Sequence, residues 1–311
     1  MRGPLARRLI AAPFALVITA GVVFALPGLT GVDPGRAVLD ARVVGASPDP
    51  GTLARLNRDL GTDEPAFRRF GSFLGDVVRG DLGRSFVTRR PVLGETVRAV
   101  GVSLSLVAAA MALALVIALA LGLALAHRAG GIVDRVAQAL TRTMVAVPEY
   151  VIGPVLVLVF GIGLRVLPSS GWATTRHAVL PALTLAVFPV GVLTQVVRAE
   201  ALDLLSEPYV RVARAVGLRP LRILFDRVGR LSLVSAVALG SALSASMLSG
   251  AVVVEVVFAV PGLGRLLRDA VVDSDLPMLQ AGLLAVATLA LAIGIMADAI
   301  HTALDPRVRL A

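Results

Sequence analysis

The chain has 311 residues, 57% of them hydrophobic and only 16% charged, with a formal net charge of +9. A soluble domain carries roughly a quarter charged residues; here the apolar residues are gathered into long blocks, so lipid is the expected solvent. Cysteine is absent and all 30 basic residues are arginine, which excludes disulfides, thiolate metal sites, cysteine nucleophiles, Schiff-base lysines and the P-loop lysine of GxxxxGK[ST] ATPases.

A helix crossing ~30 Å of hydrocarbon needs about 20 apolar residues at 1.5 Å each. No Asp, Glu or Arg occurs between Arg8 and Asp33, from Ala99 to His127, from His177 to Gln195, from Leu231 to Val254, or from Leu276 to Ala297. A sixth block, Thr143 to Leu164, contains a single carboxylate, Glu149. One central carboxylate costs roughly 2.5–3.5 kcal/mol, which the surrounding aliphatic residues offset at about 0.3–0.6 each. The expected fold is therefore an all-α integral membrane protein of about six transmembrane helices. A cleaved leader is the alternative reading of the first block, which follows Arg7 and Arg8.

Arginine in the short connections sets the expected orientation. Arg2, Arg7 and Arg8 precede the first block, and Arg128 and Arg135 follow the second. Arg198, Arg211, Arg214, Arg219, Arg222, Arg227 and Arg230 follow the fourth, and Arg307 and Arg309 lie in the tail. With six alternating spans these fall on one side, the cytoplasm, together with both termini. Arginines placed between spans in this way answer to the membrane, so nucleic acid is not an expected partner.

The long segment from Asp33 to Arg98 is then external. It carries a turn-rich run, Ser47-Pro48-Asp49-Pro50-Gly51, and an amphipathic helix expected over Thr52 to Leu60. Phe67, Phe70, Phe73 and Leu74 follow at helical spacing, which predicts packing against the membrane domain. The expected organisation is a first helix plus external segment over 1–98, a five-helix core over 99–304 with a cytoplasmic loop at about 199–231, and a cytoplasmic tail over 305–311.

Glu207 to Arg230 is the most informative stretch. Tyr209, Val212, Ala213 and Val216 fall at i, i+3, i+4 and i+7 and predict one apolar stripe, with Arg211 and Arg214 off that face. Gly217 is suited to positive φ and a helix stop, and Pro220 to the first turn of a second helix striped by Leu221, Leu224, Phe225 and Val228. Two short amphipathic helices outside the bilayer need cover, from the membrane surface or from a groove in a partner protein.

The run Tyr209-Val210-Arg211-Val212-Ala213-Arg214-Ala215-Val216-Gly217-Leu218 resembles the coupling loop of bacterial ABC importer permeases of the oligopeptide, dipeptide and nickel group. Three other stretches agree with that group in order and distance: Gly80-Asp81-Leu82-Gly83-Arg84-Ser85, Glu255 to Gly264 with Pro261 and Gly262 inside it, and Leu304-Asp305-Pro306-Arg307-Val308-Arg309. The resemblance implies a type I importer permease that docks its loop in a cleft of cytoplasmic ATPase subunits. It also implies a sister permease, two ATPases and an external substrate-binding protein, with ATP and magnesium held by the ATPases and no cofactor in this chain. Gly217 is implied as the turn in the cleft, Tyr209 and Ala213 as its packing face, and Arg211 and Arg214 as polar contacts. The chain departs from the family pattern at Val212, Val216, Leu231 and Ser235, where Thr, Lys, Asn and Pro are usual, and at Gly294 and His301 in the last span.

Glu149 and Glu255 are ionisable groups at membrane depth and so candidates for the pathway; Pro148 beside Glu149 predicts a kink. His127, His177 and His301 lie at span ends without an i, i+4 partner of ligand type, so no metal site is expected. The leading expectation is a non-catalytic permease subunit for peptides. The alternatives are a nickel or small-solute permease, a self-contained secondary transporter, and a membrane scaffold or enzyme.

Overall fold

A computed structural model describes residues 4–30, 51, 53 and 65–304. Among them the chain is helical, with one isolated antiparallel bridge between Arg84 and Pro91. Among the described residues five helices are long and apolar enough to span a bilayer, and a sixth span results if one bent pair counts as one. The expected helix from Thr52 to Leu60, apart from Leu53, lies outside the described residues, as do the turn run from Ser47 to Pro50 and the tail motif Asp305-Pro306-Arg307.

The chain divides into two compact units. One comprises Met1–Ser103 and Pro261–Ala292. Here α1 (Pro4–Thr30) packs against α2 (Ala66–Arg79) through the aromatic residues that sequence spacing singled out. The Phe24 ring lies 5.5 Å from Phe70 and 5.8 Å from Phe73, with the Arg69 guanidinium 5.6 Å above it. Phe70, Phe73 and Leu74 cover Ala20, Val23 and Leu284, whereas Phe67 stands 74% exposed and takes no part in that core. The unit also holds the start of α3 (Val92–His127), all of α10 (Leu263–Val272) and the start of α11 (Leu276–Leu304).

The other unit comprises Leu104–Val260 and Ile293–Ala311. It is built on α6 (Thr175–Ser206), the most enclosed of the spans, with α4 (Ile132–Ala146), α5 (Glu149–Leu156) and α9 (Gly229–Val257) around it. Two contacts fix α4 antiparallel to α6. Arg198 meets Asp134, and Gly191 lies so close to α4 that a Cβ there would be 2.7 Å from the Thr141 carbonyl oxygen. The expected block from Thr143 to Leu164 is not one straight helix. It breaks at Val147-Pro148 with a 106° bend between α4 and the helix that follows, because proline lacks the N–H needed to continue α4 and crowds its last turn. Beyond α5 a π-helical stretch, Val157–Gly163, completes the segment.

Candidate functional site

The hook between α6 and α9 is built from α7 (Pro208–Ala215), a glycine stop, α8 (Pro220–Ile223) and a π-helical turn, Leu224–Val228. Pro208 and Pro220 each open a helix, where the missing proline N–H costs nothing. Gly217 takes φ +87°, and two hydrogen bonds close the end of α7: Leu218 N–H to the Ala213 carbonyl at 3.1 Å, and Gly217 N–H to the Arg214 carbonyl at 3.0 Å. This is the Schellman arrangement, which satisfies the last carbonyls of a helix and needs a residue free to adopt the left-handed conformation.

The first predicted stripe is present and faces outward. Tyr209 is 40%, Val212 63% and Val216 77% exposed, with Ala213 half-buried beside them and Arg211 and Arg214 exposed. The one fully buried residue of α7 is Val210, which lies off that stripe. The second expected stripe divides. Leu224 and Val228 are buried together with Ile223, while Leu221 and Phe225 are exposed. The reason is the π turn: its i→i+5 bonding widens the helical period beyond 3.6, so residues expected on one face separate. The second helix is also not a separate short element, since it runs on into α9. Tyr209, Val212, Val216, Leu221 and Phe225 thus form the uncovered apolar set of the hook, flanked by exposed Arg211, Arg214 and Arg222.

Beneath the hook, α6 is anchored by a feature that sequence reading passed over. Arg198 donates from Nε to Asp134 Oδ1 at 2.6 Å and from Nη2 to Oδ2 at 2.7 Å, and the Gly130 N–H adds a bond to Oδ2 at 3.0 Å. Asp134 is 1% exposed. The available signal was an aspartate in the first turn of a helix after Gly130-Gly131; its partner lies 64 residues away and could not be picked out by spacing.

Of the other family-like motifs, Gly80 to Ser85 and the Pro261 to Gly264 end of the second lie in the first unit. Gly80 (φ +78°) ends α2, with Asp81 N–H bonded to the Asp76 carbonyl at 2.8 Å. Gly83 (φ +78°) donates its N–H to Asp81 Oδ1 at 2.9 Å. Ser85 Oγ then donates to Asp275 Oδ2, and Phe86 N–H to Asp275 Oδ1 at 3.1 Å, which pins the motif to the start of α11. Asp275 and Ser103, whose Oγ accepts the Leu263 N–H at 2.8 Å, were not foreseen. Gly264 is buried in α10, and Ser85, Pro261, Gly262 and Asp275 line one cavity of about 520 Å³.

The two depth carboxylates sit in different settings. Glu255 is fully buried near the end of α9, and its carbonyl accepts the Val260 N–H at 2.9 Å. Glu149, the first residue of α5, is half-buried and opens onto a cavity of about 390 Å³.

Comparison with known proteins identifies the family of the chain. Residues 117–310 match the family described as the binding-protein-dependent transport system inner membrane component. The glutathione transport system permease protein of Pectobacterium atrosepticum is 32% identical over 303 residues, 97% of each chain. A Brucella abortus permease protein named for peptide transport is 31% identical over 302 residues, 94% of this chain and 95% of its own. The dipeptide transport system permease protein of Lactococcus lactis is 31% identical over 262 residues, 84% of this chain and 86% of its own. On the strength of the 117–310 match and these full-length likenesses, the chain belongs to the family of inner-membrane components of binding-protein-dependent transport systems, and it is a multi-pass membrane permease.

Proposed function

We propose that this chain is the permease subunit of an ATP-binding-cassette importer for peptides, forming the translocation pathway with a sister permease. ATP is hydrolysed by two separate cytoplasmic subunits, and an external binding protein delivers the substrate. The observation that carries the reading is the hook. Five large apolar side chains stand exposed on a small, proline-started and glycine-closed element. Burying them yields roughly 25 cal/mol per Å², and a flanking set of arginines suits a groove with acidic or carbonyl edges. Tyr209, Ala213, Gly217 and Leu218 form the part seated in that groove, with Arg211 and Arg214 at its rim, and the hook and both termini face the cytoplasm. The likeness to permeases named for dipeptide, peptide and glutathione transport supports the substrate class.

A secondary transporter would carry broken helices at matching positions in two halves; among the described residues one bent helix pair occurs. The test is uptake of a labelled tripeptide by proteoliposomes holding the assembled complex and the binding protein. Uptake is expected with internal-facing ATP and absent with a non-hydrolysable analogue. Uptake by this chain alone under an ion gradient would contradict the proposal.

A further inference from the structure

The break at Val147-Pro148 lies deep in the span. The cavity beside it is lined by Leu185, Phe188 and Pro189 of α6 and by Ser246, Ser249 and Gly250 of α9. Those residues fall within about seven residues, or roughly 10 Å, of the midpoints of both helices. The ends of these helices share one side, since the Gly171 N–H just before α6 bonds the Phe258 carbonyl just after α9 at 2.8 Å. Non-helical backbone at such depth is tolerated where it lines a water-filled cavity. Here the break lines a cavity and carries a carboxylate to its wall.

The Glu149 carboxylate is placed there by shape. A Cβ on residue 250 would lie 3.1 Å from Glu149 Oε1, so the bare backbone of Gly250 leaves the room in which the carboxylate sits. No side-chain hydrogen bond or ion pair within the described residues holds it. Ser246 and Ser249 supply hydroxyl groups on the same wall, and Leu185, Phe188 and Met247 an apolar one. An open site with one acid, two hydroxyls and an apolar flank suits a small molecule with an ammonium group next to a short side chain.

We infer that this cavity is a substrate contact site within the pathway, with Glu149 accepting hydrogen bonds from the ammonium group of a peptide's amino terminus. The inference rests on the importer reading and adds to it a recognition chemistry at a named atom. Charge-assisted hydrogen bonds of this kind are shorter and roughly twice as strong as neutral ones. Gly250 acts as the positioning residue.

The test uses the assembled permease–ATPase complex in nanodiscs without its binding protein, with trialanine and N-acetyl-trialanine as probes in saturation-transfer NMR titrations. The wild-type complex is expected to prefer trialanine by about tenfold. Glu149→Gln is expected to bring the two probes to equal affinity, while Glu149→Asp keeps a preference of the same sign. Equal binding of the probes by wild type, no binding of either, or an unchanged preference in Glu149→Gln would each overturn the inference. Tripeptide uptake by the complete system is measured in parallel. If wild type imports and Glu149→Gln keeps its preference, the contact site alone fails; if wild type imports no peptide, the importer reading fails with it.

Discussion

Arg198 and Asp134 show how a single pair can set the position of a span. The aspartate is enclosed, both its oxygens accept from the guanidinium, and the Gly130 N–H fills a further lone pair. Removing one partner of such a pair costs about 3–5 kcal/mol, because the survivor is left charged and buried, whereas removing both costs far less. Arg198→Leu should therefore lower the thermal midpoint in detergent markedly, and the Asp134→Ala/Arg198→Leu double variant should recover much of the loss. A double variant as unstable as the single one would show that the pair is not what holds α4 to α6. Neither residue stood out in the sequence. Arg198 read as one arginine among many on a cytoplasmic flank, because a contact 64 residues apart leaves no trace in local spacing. Gly217 is the opposite case. An apolar stripe ending at a glycine, with proline three residues on, is a local pattern, and φ +87° with two closing hydrogen bonds is its local consequence.

At the scale of the element, periodicity located the hook and then misplaced half of its second stripe. A 3.6-residue period predicts Leu221, Leu224, Phe225 and Val228 on one face, and the π turn over Leu224–Val228 sends Leu224 and Val228 inward. Nothing in five residues of sequence distinguishes an i→i+5 turn from an ordinary helical one; the packing of Leu224 and Val228 against Leu123, Val197 and Ala201 decides it. The second arm of the hook is the root of α9 itself. On the proposed coupling, a push on the hook would pass directly into a span. Gly217→Val forces a β-branched residue into the left-handed region, at a cost on the order of 1–2 kcal/mol, and bends the stop. Uptake driven by ATP is expected to fall at least about tenfold, while insertion and the amount of complex recovered stay unchanged. Full uptake by this variant would remove the hook from the coupling route.

For the whole molecule, composition alone announced a membrane protein, and the charge-free blocks match five helices directly. The sixth block carried its own warning in Pro148 and Glu149, and its break became a cavity wall where a simple kink was expected. To be driven by ATP, the hook must face the compartment that holds it. The chain lacks cysteine, so a single cysteine placed at the exposed position 216 can report its own side without background. With Val216→Cys in intact cells, a membrane-impermeant maleimide should leave the residue unlabelled. In inverted vesicles it should label fully, and less so when the ATPase subunits are bound. Labelling from outside intact cells would place the hook beyond the reach of any cytoplasmic ATPase and contradict the account.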